Sequence, residues 1–334
     1  MIISKRKKIG IRLLIAVLML ILSPFLLFFA ICQKGKTGLK VSQDEAAQTV
    51  IWNGKEYRYR EGLVNILCLG IDRATDLTEY DISGNRIQNG QSDAILLVSI
   101  DTENGQIRVL AVPRDTMVTL SLYSAEGLFK GNMDGQITLQ YAYGDGVEQS
   151  CELVRQRTEE LLFDIPIQRY AAINLRAIAT INDAVGGVEL TMSEDYTDID
   201  PDFEEGATIR LEGDQALNFI RRRDTGVAGS AFTRLKRQKQ YMSAFAAQAK
   251  AAVRSNITMP IHLLKALEPD MLTDISADEM LYLLTEAADL SISDEDIYIL
   301  PGDIVYGKIY EEYEPDEEEI WQLVLELFYE EGVE

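Results

Sequence analysis

The stretch AILLVSIDTENGQIRVLAV, residues 94–112, decides what kind of sheet this chain can build. Ala94 to Ile100 is an apolar run of strand length, and Ile107 to Val112 is another. Between them, Asp101-Thr102-Glu103-Asn104-Gly105-Gln106 is turn chemistry. Two strands joined so briefly must pair antiparallel. Working outward, Val64 to Gly70 (VNILCLG) is a third apolar run, of the kind covered on both faces. Downstream, helical patterns predict Thr138 to Phe163, broken at Gly144-Asp145-Gly146, and Leu175 to Val185, ending at Gly186-Gly187. Arg169 to Ile173 and Val188 to Met192 read as strands. Gly213 to Phe219 reads as a short helix leading into an extended Ile220 to Arg223, and Phe232 to Val253 as a long helix. Buried strands alternating with helices, plus one hairpin, predict an α/β protein: a three-layer α/β/α domain with a mixed central sheet.

The chain has 334 residues and a formal net charge of -22. Its Lys5-Arg6-Lys7-Lys8 cluster and Arg12 precede Leu13 to Cys32, an uncharged apolar run of about 20 residues, the span of a bilayer core. The basic flank lies on the N-terminal side, which predicts a cytoplasmic tail (1–10), one transmembrane helix (11–32) and an extracytoplasmic remainder. A cleaved signal peptide is the alternative, but the run is long for one and no small-residue cleavage site follows. Residues 33–60 read as a linker leading into the domain, 61–250 as its core, and 251–334 as an extension packed on it. Within that extension Ile320, Leu323, Val324 and Leu327 keep helical spacing in an acidic segment.

Three cysteines are too few and too scattered for a disulfide framework or a zinc site, and one histidine leaves His-based triads and His-rich metal sites little to build on. Any metal here should be hard and oxygen-bound.

One segment runs against the overall charge. FIRRRDTGVAGSAFTRLKRQKQ, residues 219–240, holds seven of the 32 Lys and Arg residues and one acid. Such a cluster in an acidic chain needs an anion to offset it. Arg221 and Arg223 share a face if extended, and Arg234 and Gln238 share a helix face. Arg114 follows the strand that ends at Val112, Asp72 follows the strand through Gly70, and Asp93 precedes Ala94. Ligands of open α/β sheets gather outside strand ends. Two carboxylates and several guanidiniums there can hold one magnesium ion and one pyrophosphate. Taken singly, each residue also fits a turn, a cap or a salt-bridged surface. A nucleic-acid patch is a third reading, and the expected anchor argues against it by putting the domain on the wrong side of the membrane.

In this order the segments NILCLGIDR, QSDAILLVSIDTENGQIRVLAVPRDTMV, QYAYGDG, NLRAIATINDAVGGVEL and GDQALNFIRRRDT with FTRLKRQKQ resemble the LytR-CpsA-Psr family of bacterial cell-wall enzymes. The resemblance runs from about Val64 to Ala249. It implies transfer of a glycopolymer, such as teichoic acid or capsule, from a polyprenyl-pyrophosphate carrier to peptidoglycan. It implies Mg2+ (or Mn2+) on Asp72 and Asp93, and pyrophosphate on Arg114, Arg221, Arg223 and Arg234, supported by Gln238. It also implies an apolar tunnel for the prenyl chain between sheet and helices.

Three positions depart from the family pattern. Gln91 stands where an Arg is usual, Ala231 where an Asp precedes the helix arginine, and Gln136-Ile137-Thr138 where a basic residue is frequent. Arg86 and Asp224 are candidate replacements for the first two. The departures keep two alternatives open: a non-catalytic protein that binds the lipid precursor, and a polyprenyl-pyrophosphate hydrolase.

Overall fold

The structure is a computed structural model; it describes residues 28–41, 49–77, 90–124, 126–222, 230–256, 258–287, 292–307 and 311–332. The core is a six-stranded sheet built from β3 (Leu63–Ile71), β4 (Ser92–Asp101), β5 (Gln106–Val112), β8 (Arg169–Asn174), β11 (Met271–Thr273) and β12 (Ile297–Ile299), in the order β11-β8-β3-β4-β5-β12. The 94–112 hairpin forms as expected. Ile95 faces Val112 and Asp101 faces Gln106. Asp101 closes the turn by accepting from the N–H groups of Glu103 (3.1 Å) and Asn104 (2.8 Å). β3 pairs antiparallel with β4 and parallel with β8, and β12 joins β5 in parallel. The sheet is therefore mixed.

Alternation along β3 sorts the layers, because successive side chains face opposite ways. Leu67, Leu69 and Ile71, with Ile95, Leu97 and Leu110, pack against α1 (Thr138–Ala142), α2 (Glu148–Leu161) and α8 (Glu317–Phe328). These helices supply Tyr141, Cys151, Val154, Ile320, Val324 and Leu327. On the other face Val64, Ile66, Val98 and Ile100 meet Leu39 and α7 (Ala277–Ala287), through Tyr282 and Leu283. Further along that face lie α3 (Leu175–Ala184) and α5 (Ser230–Ser255). Asn174 starts α3 by accepting from the N–H groups of Arg176 (2.9 Å) and Ala177 (3.1 Å). Gly186 and Gly187, at φ 88° and 81°, turn the chain out of it, a conformation that glycine adopts without strain.

Two expectations need amendment, and a third lies largely outside the described residues. Arg221 is the last residue of a helix, α4 (Asp214–Arg221), and Arg222 is its extended C-cap. Ala216 and Phe219 drive the helix on by burying one helical face in a second core with Tyr196, Phe203 and Tyr241. Residues 33–60 are more than a linker. Residues 28–38 are helical, Leu39 is buried, and β1 (Thr49–Trp52) and β2 (Lys55–Tyr59) form a small sheet with β15 (Tyr329–Glu331) near the C-terminus. Of the expected transmembrane segment, residues 11–27 lie outside the described residues. Among those described, no helix is long and apolar enough to cross a membrane.

A part-buried ion pair ties the second face together. Arg169 of β8 donates from Nε (2.9 Å) and Nη2 (2.5 Å) to Glu279, which also accepts the Ser276 N–H. Burial pushes the Glu279 carboxyl up, but the hydrogen bonds from Arg169 and Ser276 outweigh it, and the pKa lies below the ordinary 4.5. Glu279→Gln is expected to cost about 2 kcal/mol at neutral pH. A depressed carboxylate stabilises above its unfolded pKa and loses that contribution as pH falls through the folded one. Denaturant melts of the two proteins should therefore differ at about pH 7 and converge as the pH falls through the lowered folded-state pKa of Glu279.

Candidate active site

Asp72 and Asp93 meet where β3 and β4 diverge. A register shift at Gly70/Ile71 loosens the ladder there. Both backbone N–H groups then donate to one acceptor, the Gln91 carbonyl, at 2.9 Å from Asp72 and 3.1 Å from Asp93. Position 91 thus serves the site through its backbone, which any side chain supplies. Arginines arrive from three directions. Arg114, just past β5, bonds Asp93 through Nη1 and Asp115 through Nε (3.2 Å). Arg221, at the end of α4, bonds Asp72 at 2.7 Å. Arg234, on α5 and 5 % exposed, lies near enough to act on Asp93. Gln238, one turn on, donates from Nε2 to the Ile220 carbonyl at 3.1 Å.

Of the site residues expected from sequence, the structure gathers Asp72, Asp93, Arg114, Arg221, Arg234 and Gln238. Arg223, Arg86 and Asp224 lie outside the described residues. The extended face expected to join Arg221 to Arg223 does not exist at Arg221, which projects from a helix end.

Burial pushes the Asp93 carboxyl above the usual carboxylate range; Arg114, Arg234 and Arg221 pull it down, and Asp72 pushes it up. A carboxyl raised by burial and by a neighbouring carboxylate is a place for added positive charge. Among the described residues, no group of three or more His, Cys, Asp or Glu side chains could hold a metal ion alone. A pair of carboxylates fits a hard cation that fills its remaining positions with phosphate oxygens and water.

Two cavities meet at this point. The first holds charged groups, Asp93, Arg114, Asp115 and Arg234, with Gln238, among apolar residues such as Ile95, Val112 and Leu235. Its outer wall is Ile304, Glu311, Glu312 and Tyr313, from the C-terminal hairpin β13 (Gly302–Tyr306) and β14 (Glu311–Pro315). Tyr313 seats that wall: its N–H donates to the Asp115 carbonyl (3.0 Å) and its hydroxyl to the Leu300 carbonyl (2.7 Å). Gln136 joins it by donating to the Glu311 carbonyl at 2.9 Å. Sequence reasoning missed this wall, which no local pattern ties to the site.

The second cavity, about 330 Å³, lies between sheet and helices. Its floor is small residues at alternate strand positions, Cys68 and Gly70 on β3, Ala94 on β4 and Ala171 on β8; Ile181, Met242 and Phe245 are in its roof. Gly70 pairs with Ala94 in the ladder, so the floor stays low on two adjacent strands. The lining is almost wholly apolar, and its burial pushes the Cys68 thiol up to about 12. Ala94, Leu96 and Gln238 line both cavities.

The mixed α/β fold thus sets an apolar chamber beside a cluster of arginines and carboxylates. The chain belongs to the LytR-CpsA-Psr family, whose sequence model, described as "LytR_cpsA_psr family", matches residues 28–327. A Bacillus cereus (strain AH820) protein named polyisoprenyl-teichoic acid--peptidoglycan teichoic acid transferase TagU is 32% identical over 240 residues, 72% of this chain and 69% of that protein. Among solved structures, B. subtilis TagV superposes with a TM-score of 0.58 at 23% identity, covering 80% of this chain and 97% of that one. A structure of TagT bound to LI-WTA gives a TM-score of 0.58 at 21% identity, covering 80% and 89%. At those identities the two structures speak for the fold.

Proposed function

We propose that this chain is a phosphotransferase that moves a glycopolymer from a polyprenyl-pyrophosphate carrier to a peptidoglycan hydroxyl, releasing polyprenyl phosphate. The observation that carries the reading is the shared wall of the two cavities: an arginine cluster opens beside an apolar chamber across Ala94, Leu96 and Gln238. A ligand with a pyrophosphate head and a hydrocarbon tail needs both at that spacing. The TagU relative's printed name supports the same substrate class, with teichoic acid as cargo.

In this reading the chamber takes the first prenyl units, and Arg114, Arg221 and Arg234, with Arg223, take the pyrophosphate oxygens. The acceptor hydroxyl oxygen attacks the phosphorus next to the glycopolymer. A new P–O bond forms, the bond to the prenyl phosphate breaks, and its electron pair leaves on that phosphate. The hydroxyl proton passes to solvent or a carboxylate. Fixed guanidiniums stabilise the charge on both phosphates without reorganising. Asp72 and Asp93 would hold Mg2+ or Mn2+, which supplies further positive charge to the phosphate oxygens when bound. The N-terminal run would anchor the domain outside the cytoplasmic membrane, beside its lipid substrate.

The test uses purified protein, a short-chain prenyl-pyrophosphate sugar, magnesium and peptidoglycan oligomers, with prenyl monophosphate as the readout. Release that requires peptidoglycan is the expected result. Release without it would mean hydrolysis, and binding without release would mean a non-catalytic receptor for the lipid.

A further inference from the structure

Arg237 is the anomaly of the second core. It is 2 % exposed, and its Nε and Nη1 are buried without a hydrogen-bond partner. Its guanidinium lies over Tyr196, 5.3 Å from the ring centroid, and 5.9 Å from that of Phe219. Those rings hold each other edge to face at 5.8 Å. Desolvation lowers its pKa, and Tyr196, Asp198 and Glu194 only partly oppose this. A cation buried with two donors unmet is costly, and cation–π contact returns a fraction of that cost. Arg237 lines neither cavity.

Its one hydrogen bond shows what it does. Nη2 donates to the Arg222 carbonyl. The next residue, Gln238, donates to the Ile220 carbonyl at 3.1 Å. Ile220 and Arg222 flank Arg221, so consecutive residues of α5 grip the backbone on both sides of the arginine that bonds Asp72. The grip falls where α4 ends and its last carbonyls lack helical partners. A cation there also opposes the negative end of the helix dipole.

We propose that Arg237 is a positioning residue that fixes the C-terminal end of α4, and with it the direction in which Arg221 is presented to an anionic ligand. The inference rests on the reading of Arg221 as a pyrophosphate ligand. It predicts a separation that a merely structural residue would not give: removing Arg237 weakens anion binding without weakening the fold.

The test compares wild type, Arg237→Met and Arg237→Lys in the full chain, by thermal unfolding and by calorimetric titration with farnesyl pyrophosphate in magnesium buffer. Arg237→Met should unfold at the wild-type temperature or above, because it removes a buried, under-bonded charge. It should bind about tenfold more weakly, the scale of one displaced charged hydrogen bond. Arg237→Lys, which keeps a donor for the Arg222 carbonyl, should recover part of that loss. Wild-type affinity in Arg237→Met overturns the proposal, as does an affinity loss that accompanies a marked fall in unfolding temperature. Arg237→Lys as weak as Arg237→Met overturns the carbonyl-directed role. Wild type that binds no farnesyl pyrophosphate overturns the pyrophosphate reading itself, and this inference with it.

Discussion

Arg114→Ala is expected to lower prenyl-phosphate release by about two to three orders of magnitude, the usual effect of deleting one preorganised donor at developing charge. Arg114 has two carboxylate partners in the site, Asp93 through Nη1 and Asp115 through Nε. Its side chain is 18% exposed, so its charge is poorly screened by water. Removing it takes a positive charge from the phosphates and leaves two half-buried carboxylates without the guanidinium they share. The Asp93 carboxyl, already raised by burial, should rise further, since Arg114 is the strongest influence holding it down. Arg114→Lys keeps the charge but loses the fork that spans both carboxylates. It should fall between wild type and Arg114→Ala. The measurement is kcat/KM for prenyl-phosphate release, with thermal unfolding alongside to separate misfolding from lost chemistry. Arg114→Ala retaining more than about a tenth of wild-type kcat/KM would remove Arg114 from the charge-stabilising set.

The parts of this molecule legible in sequence are those set by local period and turn chemistry. The 94–112 hairpin, the buried run at 64–70 and the stop at Gly186-Gly187 each carry their own signal within a few residues. Strand ends then told where Asp72, Asp93 and Arg114 would gather, because topology fixes strand ends wherever the helices go. Arg221 shows the limit. Charge alone brings it to the site, where it bonds Asp72 across 149 residues of chain, but local sequence does not set its helical conformation. RRR reads as extended by itself, whereas Ala216 and Phe219 extend the helix by burial in a core that no local pattern announces. The C-terminal wall was illegible for the same reason: Tyr313 reaches the site through a backbone bond to Asp115. The apolar chamber did leave a trace, in Gly70, Ala94 and Ala171. Small residues at facing positions of neighbouring strands mark space above a sheet as clearly as large ones mark a core.

That chamber yields the second large expectation: Ala171→Phe should nearly abolish binding of a prenyl pyrophosphate while leaving inorganic pyrophosphate binding close to wild type. Ala171 sits mid-strand on β8, paired with Cys68 on one side and Thr273 on the other, and lines the cavity floor. A phenyl ring there rises into space of about 330 Å³ rather than into packed atoms. The fold should therefore tolerate it, and an aromatic residue suits a strand. The lipid loses that volume. Each methylene excluded forfeits about 0.8 kcal/mol, so displacing roughly six costs near 5 kcal/mol, or three to four orders of magnitude in affinity. The charged cavity, which Ala171 does not line, should be untouched. Titrating farnesyl pyrophosphate and inorganic pyrophosphate in parallel reads the two halves of the ligand separately. Loss of the first alone means that the chamber holds the tail. Loss of both would mean that residue 171 acts through the sheet on Asp72 and Asp93. Loss of neither would put the hydrocarbon elsewhere, and the shared wall of the two cavities would no longer argue for a lipid-linked substrate.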